Sequence, residues 1–117
     1  MSGTKAGRKL GRTSAHRTAL YRNLSASLIR HEEIKTTQAK AKSLKPFAEK
    51  LISIARKDDL NSRRKVRRDI HDRQVFIKLF EVLVPRYKER TGGYIKLIKL
   101  GNRNSDNAPM CIVKLLQ

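Results

Sequence analysis

Apolar residues recur at four-residue spacing from Leu20 through Leu24 to Leu28, with Tyr21 alongside. This stripe predicts an amphipathic helix over 14–30 that Ser14 can cap. His31-Glu32-Glu33 breaks the pattern. Ile34 to Thr37 is short and rich in β-branched residues, which predicts a brief strand, and Thr36 or Thr37 can cap the next helix. Leu44, Ala48, Leu51 and Ala55 form a second helical stripe over 38–57, widened by Phe47 and Ile52. Pro46 has no N–H for the Lys42 carbonyl and crowds it, so a kink or a restart of the helix is expected there.

Asp58 to Asn61 reads as a joint. Residues 62–70 (SRRKVRRDI) offer only Val66 and Ile70 as an apolar edge, which predicts a short, heavily cationic helix. A fourth helix is expected over 73–84, with Phe76, Leu79, Phe80 and Leu83 as its buried stripe and Pro85 marking its end. Thr91-Gly92-Gly93 then switches the periodicity. Residues 94–100 (YIKLIKL) read as a strand, 101–108 as a polar loop, and 110–116 as the returning strand with Cys111, Val113 and Leu115 on one face. The predicted class is α+β, two-layer, in the order α-β-α-α-α-β-β, with helices packed on a small sheet that contains a C-terminal hairpin. A lone hairpin is marginal in water, so its apolar face must meet the helices.

In front of this fold stands MSGTKAGRKLGR, in which Lys5, Arg8, Lys9 and Arg12 sit among Gly3, Gly7 and Gly11 and Leu10 is the only large apolar side chain after Met1. Such a segment cannot bury enough surface to offset the entropy of ordering itself. The chain therefore divides into an extended basic arm, 1–12, and one α+β domain, 13–117.

Charge sharpens the picture. The 117 residues hold 28 Lys and Arg against 10 acids, a net charge of +18. Lys5, Arg8, Lys9, Arg12, Arg17, Arg22 and Arg30 all precede the first acid, Glu32. Ordinary surfaces mix both signs, so this imbalance calls for a polyanionic partner, most simply nucleic acid. An anionic membrane surface would satisfy the same electrostatics, but the helices direct their apolar stripes at one another, and no run approaches the 18 apolar residues of a membrane span. A single cysteine allows no internal disulfide, and the N-terminus lacks the apolar core of a signal peptide, so a cytoplasmic protein is expected.

The remaining candidate chemistry is thin. His16, His31 and His71 are far apart and lack partners at metal-ligand spacing. Cys111 lies in an apolar strand, where packing outweighs nucleophilic use. GRKLG lacks the strand and the longer loop of a phosphate-binding turn. Glu32-Glu33, Asp58-Asp59 and Asp69 with Asp72 sit at junctions, where capping and solubility explain them. Neither an enzyme nor a cofactor, metal or small-molecule substrate is expected, and no homo-oligomer is required.

The cations of Arg63, Arg64, Lys65, Arg67, Arg68 and Arg73 are answered only by Asp69 and Asp72. In helical geometry Arg64, Arg67 and Arg68 share a face flanked by Arg63 and Lys65, which would repel itself unless phosphates pass close by. RNA is favoured over DNA because the cations are spread over an arm, several helices and a loop, and no single recognition helix stands out. A DNA-compacting architectural factor is the alternative. Tyr21 and Tyr94 complete the edge of the core in this reading and are not assigned to base stacking.

Three blocks carry a family resemblance: KAGRKLGRTSAHRTALYRNL at 5–24, IKTTQAKAKSLKPFAEKLISIARK at 34–57 and GGYIKLIKLGNRNSDNAPMCIVKLL at 92–116. Together they closely resemble the family of the seventeenth protein of the bacterial large ribosomal subunit. The resemblance implies an N-terminal arm, with Lys5, Arg8, Lys9 and Arg12, that threads into large-subunit RNA. It places His16, Arg17 and Arg22 where the first helix meets that RNA. Thr36, Thr37, Lys40 and Lys42 match the block opening the second helix, and Gly93, Tyr94, Lys99, Gly101, Arg103 and Pro109 match the final hairpin. It further implies no catalytic activity, a structural role near the mouth of the polypeptide exit tunnel, and neighbouring large-subunit proteins as partners. The chain departs from the usual Met-Arg-His opening with Ser2-Gly3-Thr4. Its 58–73 segment keeps the basic helical character of the family without a clean motif, so Arg63, Arg64, Lys65, Arg67 and Arg68 are assigned to RNA by charge.

Overall fold

A computed structural model describes residues 14–117. The arm, with Lys5, Arg8, Lys9 and Arg12, lies outside the described residues. Helix α1 (Ser14–His31) leads to strand β1 (Glu33–Thr37) and helix α2 (Gln38–Ala55). Helices α3 (Leu60–Asp69) and α4 (Arg73–Lys78) come next; α4 continues through a wide π turn (Leu79–Leu83) into a last short turn, α5 (Val84–Arg86). Strands β2 (Ile95–Asn102) and β3 (Pro109–Leu115) close the chain. This is the expected α+β order, with α4, the π turn and α5 making up the fourth helix.

The terminal hairpin is joined by β1 into an antiparallel sheet of order β1-β3-β2. Thr36 pairs with Cys111, Ile34 with Val113, and Ile95 with Leu115. Because side chains alternate along a strand, this register gathers Ile34, Thr36, Ile95, Leu97, Cys111, Val113 and Leu115 on one face. That face meets the helices in a core containing Leu28, Leu44, Ile52, Leu79 and Leu83, all essentially inaccessible to solvent. Val66 and Ile70 bring the cationic α3 onto the same core.

Several boundaries differ from expectation for local reasons. Ser14 lies within α1, its Oγ accepting from the Arg17 guanidinium at 3.3 Å, so it does not cap from outside the helix. Of the two threonines, Thr37 is the cap of α2, its Oγ1 accepting from the Lys40 N–H at 3.3 Å. Helix α2 runs unbroken through Pro46. Pro46 and Lys42 both face solvent, where water can take the carbonyl the proline leaves unbonded. Helix α3 begins earlier than expected because Asp59 and Ser62 form a reciprocal capping box, with bonds of 2.7 and 2.9 Å.

The fourth helix passes Pro85 and ends at Arg86. In the turn before the proline, the Val84 N–H reaches back five residues to the Leu79 carbonyl, and ordinary bonding resumes with the Tyr87 N–H on the Leu83 carbonyl at 3.0 Å. The widened turn resets the hydrogen-bond ladder just ahead of the residue that cannot donate.

Glu32 is a long-range tie as well as a junction residue. It adopts a positive φ of 65°, and its carbonyl accepts from the Leu115 N–H at 2.9 Å. Its carboxylate takes two bonds from Arg86, at 2.7 and 3.1 Å, and one ion pair from Lys78 at 3.1 Å. The Arg86 bonds, more than any other influence, hold this carboxyl down at about 2. Tyr87 and Tyr94 pack ring to ring at 5.0 Å beneath β3, and the Tyr87 hydroxyl donates to the Leu116 carbonyl. Burial pushes the Tyr87 phenol above its usual range.

Candidate nucleic-acid interface

Helices α1, α2 and α3 enclose a groove of about 490 Å³. Its apolar lining comes from α2: Phe47, Leu51 and Ile54, three positions at helical spacing. Tyr21 of α1 lies against Phe47 with ring centroids 5.7 Å apart. Around this lining stand Arg22 from α1, Lys50 from α2, and Lys65 and Arg68 from α3, with Asp69 as the one acid. Asp69 holds Arg22 through its Nε at 2.8 Å. Among the described residues, no carboxylate lies within ion-pair distance of Lys50, Lys65 or Arg68. Three uncompensated cations around a ring-bearing hollow can take phosphates at the rim and a sugar or base against the apolar wall.

The α3 cations divide by their angle around the helix. Ser62, Val66 and Ile70 point inward, which leaves Arg64 and Arg68 on the outermost line. On one flank the Arg63 and Arg67 guanidinium groups stack over the Phe80 and Phe76 rings, at 4.6 and 4.9 Å from the centroids. Arg63 also binds Asp58 at 2.7 Å. Stacking fixes the plane of each guanidinium while leaving edge N–H groups available to a phosphate. On the other flank Lys65 turns towards the groove.

The other sequence-predicted residues are not gathered into this groove. His16 is exposed and Arg17 half-buried in the first turns of α1. Thr36 is buried in the sheet opposite Cys111 and Thr37 caps α2, so both have structural duties. Lys42 is exposed and Lys40 half-buried near the start of α2. Lys99 is exposed on β2. Arg103, at the hairpin tip, is bound through two N–H groups to Asp106 at 2.9 and 2.7 Å, and this contact more than any other lowers the Asp106 carboxyl to about 2. Lys50 is absent from the sequence-predicted set. The signal that could have found it is its place between Phe47 and Ile54 on the widened edge of the α2 stripe.

Tyr94 is fully buried, while Tyr21 is half-buried on the core, so both stand where the sequence placed them. Among the described residues, no helix is long and apolar enough to cross a membrane, and no group of His, Cys, Asp and Glu is placed to hold a metal ion.

Comparison with known proteins gives the chain its relatives. The "Large ribosomal subunit protein bL17" of Geobacter metallireducens is 49% identical over 117 residues, all of this chain and 66% of the relative. The protein of the same name from Sphingopyxis alaskensis is 54% identical over 110 residues, 94% of this chain and 79% of the relative. That from Pelobacter propionicus is 49% identical over 113 residues, 97% of this chain and 89% of the relative. The chain thus spans about two thirds of the length of the Geobacter relative. The family described as Ribosomal protein L17 matches residues 20–116, from the middle of α1, through the cationic α3, to the end of the sheet. With the groove, the cationic helix and the hairpin all inside that match, the chain belongs to the ribosomal protein L17 family.

Proposed function

We propose that this chain is a structural constituent of the bacterial large ribosomal subunit, in the cytoplasm, where it binds and stabilises folded large-subunit ribosomal RNA near the polypeptide exit tunnel. The names of its relatives support the large-subunit setting. The observation that carries RNA binding is the groove in which Lys50, Lys65 and Arg68 lack acidic partners around Phe47 and Ile54. A charge of +18 left uncompensated would oppose the folded state, and RNA phosphate neutralises it.

In this reading residues 1–12 form an RNA-binding arm and 13–117 a single domain. Lys5, Arg8, Lys9 and Arg12 contact RNA from the arm, and His16, Arg17 and Arg22 from α1. Arg63, Arg64, Lys65, Arg67 and Arg68 do so from α3, with Lys40, Lys42, Lys99 and Arg103 at the margins. Other large-subunit proteins are its neighbours. The role requires no catalysis, cofactor, membrane, small-molecule substrate or homo-oligomer.

The test is the salt dependence of binding to protein-free large-subunit RNA. Changing Lys50, Lys65 and Arg68 together to Gln removes three phosphate contacts and should flatten the slope of log K against log salt by about 2–3. Deleting residues 2–12 should flatten it by a comparable amount. Unchanged slopes in both variants, or equally tight binding of duplex DNA, would overturn the proposal.

A further inference from the structure

The tip of the β2–β3 hairpin is longer than a tight connection needs, since two residues suffice to join antiparallel strands. Residues 101–107 (GNRNSDN) are all exposed and carry no apolar side chain, so they add nothing to the core. They are nonetheless held in one shape. The Arg103 N–H donates to the Ala108 carbonyl at 2.8 Å, and the Asn107 N–H donates to the Arg103 carbonyl at 2.7 Å. The Asn102 amide donates to the Asn107 side chain at 3.1 Å, with Asn107 in the left-handed region at a φ of 60°. Polar bonds that order an exposed loop without burying anything fit a loop prepared in advance for a ligand.

Arg103 is the charged centre of this tip. Asp106 Oδ1 accepts from its Nε at 2.9 Å and Oδ2 from its Nη2 at 2.7 Å, and Oδ1 also accepts from the Ala108 N–H at 3.2 Å. One edge of the guanidinium is thereby tied to the loop backbone. A guanidinium has five N–H groups, and the carboxylate takes two of them. The end edge keeps one N–H on Nη1 and one on Nη2 in parallel, the arrangement that meets two phosphate oxygens. Arg103 also lines a hollow of about 530 Å³, together with Leu100, Met110 and Lys35 of β1. Lys35 and Met110 alternate with Thr36 and Cys111, so the hollow lies on the face of the sheet turned away from the helices. Among the described residues, no carboxylate lies within ion-pair distance of Lys35.

Resting on the RNA-binding reading, we infer that Lys35 and Arg103 clamp one phosphate of the bound RNA at this hollow, and that Asp106 is a positioning residue that aims Arg103 at it. An aspartate beside a phosphate repels it, so charge alone argues against Asp106 at such a place. Orientation offsets that repulsion. A guanidinium fixed before binding has no rotamer freedom left to lose when the phosphate arrives. The clamp sits on the outer face of the sheet, whereas Lys50, Lys65 and Arg68 stand in the helical layer, so the two contacts are separate.

Positioning and plain charge predict opposite signs for the loss of Asp106. Binding of the full chain to protein-free large-subunit RNA should weaken about three- to tenfold in Asp106→Asn, although the change removes a negative charge. Asparagine keeps an oxygen for the Ala108 N–H, so the loop retains that bond. In an Arg103→Gln background the same substitution should no longer weaken binding, because there is no guanidinium left to aim. Lys35→Gln and Arg103→Gln should each flatten the slope of log K against log salt by about 1. Binding by Asp106→Asn at least as tight as that of the unaltered chain would overturn the inference. So would an equal loss in both backgrounds, which marks a merely structural aspartate, or an unchanged slope in either cation variant. In each of these cases the RNA-binding reading stands. Failure of the unaltered chain to bind that RNA, or equally tight binding of duplex DNA, would end both.

Discussion

Replacing Glu32 with Gln should unfasten the junction between the end of α1, the fourth helix and β3. Folding lowers this carboxyl from 4.5 to about 2, chiefly through the Arg86 bonds. That difference corresponds to roughly 3 kcal/mol in favour of the folded, ionised form. The side chains of Glu32, Lys78 and Arg86 are 25%, 27% and 20% exposed, so solvent screening reduces the net loss in Glu32→Gln to about 1–2 kcal/mol. Because the folded value is the lower one, this stability is present in full above pH 4.5 and is lost as the pH falls from there towards about 2. Urea unfolding followed by circular dichroism, at pH 7 and again at pH 3, measures it. The gap between wild type and variant should be full at pH 7 and should shrink to less than half at pH 3. A gap of the same size at both values would show that Glu32 acts by shape alone, and no gap at pH 7 would show that the clamp contributes nothing.

Thr37→Ala removes the cap of α2 and should lower stability by about 1 kcal/mol in the same urea assay, whereas Thr37→Ser, which keeps the hydroxyl, should lose much less. Tyr87→Phe deletes the donor to the Leu116 carbonyl and should cost about 1 kcal/mol, with amide exchange accelerating first at the C-terminal end of β3. Because burial raises the phenol, Tyr87 should remain protonated through the pH range in which an exposed tyrosine ionises, which ultraviolet absorbance titration reads directly.

Periodicity made most of the fold legible. Leu44, Ala48, Leu51 and Ala55 repeat at the helical interval and are buried on α2, and Cys111, Val113 and Leu115 alternate and are buried on β3. These features depend on neighbours a few residues apart, which a sequence displays directly. The family was legible for the same reason, because its motifs are runs of adjacent residues. The site was legible only as an excess of cations: Lys65 and Arg68 were in the sequence-based set, whereas Lys50 was marked by nothing but its place between Phe47 and Ile54 on the edge of the α2 stripe.

What the sequence by itself determined was the amount of positive charge, the identity and order of the elements and the face each would bury. The fold alone decided which charges remain free. Arg22 meets Asp69 across 47 residues, Arg30 meets Asp72 across 42, and Glu32 meets Arg86 across 54. Only the tertiary structure, likewise, showed that β1 would pair with β3 and complete the sheet. An ion pair acts over a few ångströms of space whatever the separation along the chain, so its membership is set by packing. Of two arginines that look alike in the sequence, packing gives Arg22 a carboxylate and leaves Arg68 exposed at the rim of a groove.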